Sequence, residues 1–232
     1  DGFSLVLIAR KTEPLLALLA ELEGGGAQVR VLSVDLSQSN AVDRVRTITD
    51  DVEIGLLIYN AGANSVRGNF VELDPEVTRA VFMVNAWNQS EFVRHFGAAM
   101  ARRGKGGIIL CGSSSSYLGA PSLAAYTASK AFSRVFTEAL WAEMQPMGVD
   151  VLHLLVNFTA TPAMERLGIN LAAAMPSSQV AAEGLAAIAN GPIWIVGGET
   201  ALATVEQRSQ VRDRAEVVRR FATPLRAAIV KD

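Results

Sequence analysis

The sequence predicts an α/β fold, a doubly wound parallel sheet with helices on both faces, and three observations carry that prediction. Short apolar runs alternate with stretches of helical period, the pattern of βαβ units. Gly and Pro clusters fall between successive elements rather than between blocks, and no internal repeat is present. With 232 residues, 50% hydrophobic and 19% charged, the chain can bury one sizeable core and would be cramped as two. Residues 1–232 are therefore read as a single domain.

The elements follow in order. Apolar runs bounded by turn residues place strands at Ser4 to Ala9, Gln28 to Ser33, Ile54 to Tyr59, Gly107 to Cys111, Val149 to Val156 and Ile193 to Val196. Helices are expected from near Glu13, Gln38, Asp74, Ala124 and Ser177. Gly24-Gly25-Gly26 terminates the first of these. Asp74-Pro75 supplies an N-cap and a first-turn proline for the third. Arg208 to Arg226 fall on a C-terminal helix that also carries Glu206, Asp213 and Glu216, a mixed-charge face that suits solvent or a subunit contact better than nucleic acid.

Tyr126-Thr127-Ala128-Ser129-Lys130 carries the chemistry. On a helix Tyr126 and Lys130 stand at i and i+4, so the ammonium can approach the phenol. Free tyrosine titrates near pH 10, roughly three units above neutrality, and a nearby cation lowers it into the range of a working proton donor. By itself such a pair more often forms a solvated helix face. Gly112-Ser113-Ser114-Ser115-Ser116 adds a second signal, because it follows a buried strand at its C-terminal end, where open α/β sheets bind ligands. One hydroxyl should face the tyrosine; the remaining serines, with Gly119-Ala120-Pro121, read as a polar loop.

These residues resemble the short-chain dehydrogenase/reductase family, NAD(P)-dependent oxidoreductases of Rossmann-type fold. The resemblance assigns Tyr126 and Lys130 to the family's Tyr-x-x-x-Lys, Ser113 to its serine thirteen residues upstream and Asn85 to the fourth member of its catalytic tetrad. It also assigns Asn60-Ala61-Gly62 to the Asn-Ala-Gly motif after the fourth family strand, and Asp35-Leu36 to the adenine edge of the cofactor. The matches keep the family's order over nearly the whole chain. They imply that Tyr126 exchanges a proton with the substrate oxygen and that Ser113 hydrogen-bonds the developing oxyanion. Lys130 would lower the tyrosine pKa and reach the nicotinamide ribose, while Asn85 would hold a water leading from Lys130 to solvent. Thr159 and Thr161 would meet the nicotinamide carboxamide.

Departures from the pattern are equally definite. The family's first strand and its Gly-rich turn at a helix N-terminus, which receive the pyrophosphate, have no counterpart here. Asp1 to Arg10 already match the end of the first family helix and the second strand. The resemblance implies that a strand, turn and helix of roughly 30 residues precede Asp1; the alternative is a chain that has lost them. Val156-Asn157 replaces the family's Pro-Gly, and Tyr59 replaces an asparagine. Arg10-Lys11 end the second family strand, where a carboxylate would favour NAD. A guanidinium there can hold a 2′-phosphate, so NADP(H) is expected over NAD(H); otherwise the two residues simply open a solvated helix.

Composition excludes other classes. A net charge of −2 gives no reason to expect nucleic acid or an anionic membrane. No run reaches the roughly 18 apolar residues of a membrane span. The one cysteine, Cys111, cannot form a disulfide framework and suits a reducing, cytoplasmic setting. No metal site is expected, since His95, His153 and Cys111 lie far apart in sequence; His95 reads as a surface residue and His153 as a core or sheet histidine. The family layout puts Tyr117, Leu118, Leu123 and the segment Met164 to Met175 around the pocket, pointing to a small apolar carbonyl or alcohol substrate. It also implies a homodimer or homotetramer joined through the helices of Asn85 and Tyr126. A non-catalytic dinucleotide-binding regulator or scaffold of the same fold is the second reading, motivated by the missing glycine turn and Val156-Asn157.

Overall fold

The computed structural model describes residues 2–63, 67–157, 159–161, 174–210 and 213–219. Strands β1 (Leu5–Ala9), β2 (Val29–Ser33), β3 (Leu56–Tyr59), β4 (Gly106–Cys111), β5 (Val149–Leu155) and β8 (Ile193–Ile195) sit where the apolar runs predict them. Two short strands, β6 (Thr159–Ala160) and β7 (Met175–Pro176), form a separate pair. Helices α1 (Thr12–Gly24), α2 (Ala41–Arg46), α6 (Ala124–Met144) and α7 (Ser177–Ala186) separate the strands, and α8 (Gly198–Gln210) follows β8. Between β3 and β4 runs a segmented helix: α3 (Pro75–Phe82), a π-turn (Met83–Trp87), α4 (Asn88–Phe92), a second π-turn (Val93–Gly97) and α5 (Ala98–Arg103). Asp74 caps α3 by accepting from Glu76 N at 2.9 Å, and Pro75 occupies the first turn as the sequence predicts.

Every strand pair is parallel, and helices cover both faces. Ile108, Leu110, Val149 and Val151 point into a core completed by Phe92, Phe96, Met100 and Met144. Their alternates Ile109, Leu152 and Leu154 point the other way, against Val180, Ala187 and Val196. This period-two alternation is what lets one sheet bury two helical layers.

The predicted doubly wound parallel sheet is present in separately hydrogen-bonded parts. β1 and β2 form a two-stranded sheet, whereas β3-β4-β5-β8 form a four-stranded one. Among the described residues no strand lies between β1 and β3, and no hydrogen-bonded ladder joins the two sheets. Side-chain packing holds them instead: Ile8 and Leu32 lie against the core that contains Leu57 and Tyr59. At the C-terminus, α8 starts at Gly198, earlier than the predicted charged helix, which extends into residues outside those described. Among the described residues no helix is long and apolar enough to cross a membrane.

Candidate active site

The site grows from the carboxyl end of β4. Past Cys111 the chain stays bonded to β5, with Gly112 N donating to Leu154 O at 2.8 Å and Ser114 N to Val156 O at 3.3 Å. Ser113, in extended conformation, caps the 3-10 turn Ser114–Tyr117 by accepting from Ser115 N at 3.2 Å. Its hydroxyl faces the phenol of Tyr126, in the first turn of α6, closely enough to oppose the rise in the Tyr126 pKa. Among the four serines of this turn, Ser113 is the one that acts on the Tyr126 phenol.

Lys130 lies one helical turn further along α6 and is only 6% exposed. Its Nζ donates to the Cys111 carbonyl at 2.9 Å. Burial lowers its pKa, because an ammonium loses its hydration there. Burial likewise raises the Tyr126 pKa, opposed by the Ser113 hydrogen bond and by the charge of Arg67. Lys130 donates to the end of β4, and Arg67, in the loop after β3, adds positive charge that favours the phenolate. That loop is tied down by Gly68 N donating to Ser122 O at 3.1 Å, just ahead of α6. Nothing in the local pattern around Arg67 signals this approach.

Asn85 lies in the first π-turn and is 1% exposed. Its Oδ1 accepts from Ala63 N at 2.8 Å, while Nδ2 donates to Ala63 O at 2.9 Å and to Ser129 Oγ at 3.0 Å. The amide therefore clips the loop after β3 to α6. Tyr59 adds a second clip, donating from its hydroxyl to Val84 O at 2.7 Å within the same π-turn. Sequence reasoning treated Tyr59 as a tolerated replacement and missed this role. π-turns are common at functional sites, and here one turn receives both clips.

At the cofactor side, Asn60 and Gly62 are exposed and Ala61 is half-buried at the end of β3. A side chain at Gly62 would sit 3.6 Å from Lys130 Nζ and 3.7 Å from Asn85 Oδ1, so the exposed turn and the two buried polar groups adjoin. Arg10 and Lys11 are exposed at the end of β1. Ser33 Oγ donates to Arg10 O at 2.9 Å. Asp35 accepts from Ser37 N at 2.8 Å, which together with the Ser37 hydroxyl and the charge of Arg10 holds its carboxyl below the usual range. Leu36 is buried, and its carbonyl accepts from Asn88 Nδ2 at 2.7 Å. Thr159 pairs with Met175 in β6-β7, apart from the tetrad's hydrogen bonds, and its hydroxyl donates to Asn157 O at 3.2 Å. Thr161 is half-buried just beyond it. Asn157 ties this segment to β8 by donating to Val196 O at 3.3 Å, a use for the residue that replaces the family's glycine.

This donor set fits the nicotinamide and adenosine halves of a dinucleotide. The Lys130 ammonium has three protons, and among the described residues only Cys111 O takes one; the others adjoin Gly62 and suit ribose hydroxyls. Of the expected pocket residues, Leu118 and Leu123 are buried and Tyr117 and Met175 half-buried, while positions 164–173 lie outside the described residues. A cavity of about 600 Å³ between α2 and the segmented helix, lined by Asp50, Trp87, His95 and Arg103 among others, touches none of the tetrad. Among the described residues no cluster of His, Cys, Asp or Glu could hold a metal ion.

A parallel α/β sheet with a Ser-Tyr-Lys group at its carboxyl end defines a class, that of proteins that present an acid/base tyrosine beside a bound nicotinamide. The short chain dehydrogenase family model matches residues 1–172, and the chain belongs to that family. It is 32% identical over 171 residues to a very-long-chain 3-oxoacyl-CoA reductase of Neurospora crassa, covering 72% of this chain and 51% of the relative. The chain spans about half the length of the curated relatives it matches. A solved structure concerned with 7β-hydroxysteroid dehydrogenase stereoselectivity superposes with a TM-score of 0.85 at 24% identity, covering 93% of this chain and 86% of that one. A short-chain dehydrogenase from Sphingobium yanoikuyae in complex with NADPH gives 0.77 at 27% identity, over 91% and 88%.

One further buried group carries a pH dependence. His153, fully buried on β5, has its pKa pushed down to about 3 by burial and by the charges of Lys130 and Arg134. The unfolded chain takes up this proton below about pH 6.5, whereas the folded one does so only near 3. Stability from this group is complete above about pH 6.5 and is lost as pH falls from there toward 3, at up to about 1.4 kcal/mol per pH unit. Urea unfolding of wild type and His153→Gln across that window should show a shallower acid slope in the variant; parallel slopes would contradict the assignment.

Proposed function

We propose that this protein is an NADP(H)-dependent oxidoreductase that interconverts a carbonyl and an alcohol on a small, largely apolar substrate, as a carbonyl reductase or alcohol dehydrogenase. The observation that carries the reading is the convergence of Ser113, Tyr126 and the buried Lys130 at the carboxyl end of β4, where the Ser113 hydroxyl favours ionisation of the Tyr126 phenol and Lys130 Nζ donates to Cys111 O at 2.9 Å. Support for the substrate class comes from the relatives, described as reductases of 3-oxoacyl-CoA and as a hydroxysteroid dehydrogenase, and from the apolar Leu118 and Leu123 nearby. Support for NADP(H) comes from exposed Arg10 and from the NADPH in the Sphingobium relative.

A bound nicotinamide supplies or accepts the hydride. The protein's own residues do the rest. Tyr126 delivers the proton to the carbonyl oxygen, and Ser113 hydrogen-bonds that oxygen as negative charge develops on it. Arg67 makes ionisation of Tyr126 easier after the proton has left. Lys130 keeps positive charge beneath the ribose position, with Asn60, Ala61 and Gly62 flanking it and Thr159 and Thr161 closing the far side. Asn85 holds the loop in place, so its contribution is positioning; the second lone pair of Oδ1 remains for the water of the family's relay. Arg10 and Lys11 face the 2′-phosphate, and Asp35 and Leu36 border the adenine. Exposed Val77, Phe82 and Trp87 on the segmented helix and Phe132 and Val135 on α6 suit assembly as a homodimer or homotetramer.

NADPH absorbance followed against a panel of ketones, aldehydes, 3-oxoacyl thioesters and oxosteroids tests the reading. Tyr126→Phe should lower kcat by at least about 100-fold; equal turnover would remove the tyrosine from the mechanism, and NADPH binding with no turnover would favour the non-catalytic reading. Arg10→Ala should raise the Kd for NADPH by about tenfold or more and leave NADH within about twofold, measured by quenching of protein fluorescence; equal losses would argue against a 2′-phosphate contact. Arg67→Met should move the Tyr126-dependent limb of the pH profile of kcat/KM to higher pH, and an unmoved limb would show that Arg67 does not act on the phenol.

A further inference from the structure

His153 has no role in the chemistry above, yet its surroundings are specific. It lies in mid-β5, in register with Leu110 of β4, and is fully buried. Its Nδ1 lies 3.3 Å from Thr137 Oγ1, and its Nε2 has no hydrogen-bond partner. The Thr137 hydroxyl has one proton, which goes to Ser133 O at 2.6 Å. Toward the imidazole, the threonine oxygen is therefore an acceptor, so the ring proton is on Nδ1 and Nε2 presents a bare lone pair.

That lone pair faces Gly112. A Cβ built on Gly112 would overlap Nε2 and come within 2.5 Å of Cε1 and 2.8 Å of Cδ2. Only the second α-hydrogen of a glycine fits there, as a weak C–H donor to nitrogen. The Gly112 amide is held on the same side by Leu154 O, and the next residue is Ser113. Lys130 and Arg134 of α6 bring positive charge toward the ring, and the Cys111 thiol of β4, pushed up to about 11 by burial, offers no anion to offset it.

We propose that His153, as the neutral Nδ1–H tautomer, is a positioning residue for catalysis. Its imidazole forms the floor under Gly112, sets the depth of the turn after β4 and so aims the Ser113 hydroxyl at Tyr126. The consequence for rate rests on the oxidoreductase reading; the tautomer and the coupling of positions 112 and 153 do not. Gly112 and His153 thus form one unit, in which the glycine is required because the imidazole occupies its side-chain space.

Two measurements test this. In protein labelled with ¹⁵N-histidine, with His95→Gln made to assign the signals, His153 should show a protonated Nδ1 and an unprotonated Nε2 whose shifts hold constant between about pH 5 and 9. An Nε2–H tautomer, or titration inside that range, would overturn the proposal. In a double-mutant cycle, Gly112→Ala should lower kcat by about 100-fold, the scale of a misplacement near 1 Å, with KM within about threefold. Adding His153→Ala, which vacates the space, should recover at least about tenfold of that loss. Independent, multiplicative effects, or a Gly112→Ala enzyme as active as wild type, would refute the coupling. Urea unfolding of the same four proteins reads the coupling without turnover, so a wild type silent toward every carbonyl would end the oxidoreductase reading while the Gly112–His153 contact is still decided.

Discussion

A buried ammonium is the constraint around which this structure is organised. Lys130, 6% exposed, has given up most of its hydration, and an uncompensated charge in such a place is prohibitive. Its compensation is a backbone carbonyl at the end of β4, so α6 must cross the sheet at a height that brings Lys130 to Cys111. Once that height is set, Tyr126 stands one turn above, level with Ser113. The same contact makes the active-site geometry rigid, since the strand end, the serine turn and the helix share one polar bond.

The second organising feature is the way polar side chains replace continuous secondary structure. Just after β3 the Asn85 amide clips Ala63 through both its N–H and its carbonyl. A π-turn carries Asn85 inward, and Tyr59 reaches the same turn from below. Arg103 works similarly at the other end of the segmented helix, donating to Ile54 O at 2.5 Å and Lys105 O at 2.8 Å. The bonds of Asn85 to Ala63, Tyr59 to Val84 and Arg103 to Ile54 each span more than twenty residues, whereas that of Arg103 to Lys105 is local.

The division of the sheet makes the role of packing visible. β1 and β2 lead to the residues assigned to the adenosine side, while β3, β4 and α6 carry or lead to Asn60, Ser113, Tyr126 and Lys130. They are held to each other by apolar contacts, and by Asn88 donating to Leu36 O and Gln38 O at 2.7 and 2.9 Å. Apolar contact is non-directional, so these hydrogen bonds from α4 are what define where the end of β2 sits relative to the segmented helix.

The sequence by itself determined the strand positions, the parallel topology and the shared helix face of Tyr126 and Lys130, because each depends on spacing along one element; the selection of Ser113 came from the family resemblance. Period, capping and turn chemistry are local, and the Asp74-Pro75 start and the end of α1 at Gly24 show how far they reach. Only the tertiary structure decided what each polar group touches. That Lys130 bonds to Cys111, that Arg67 approaches Tyr126, that Asn85 holds Ala63, and that His153 fills the space of a Gly112 side chain are contacts between elements 19 to 59 residues apart. Their geometry follows from how the sheet and α6 pack, and from the tendency of polar groups taken out of water to be paired. No periodicity in the chain encodes that requirement.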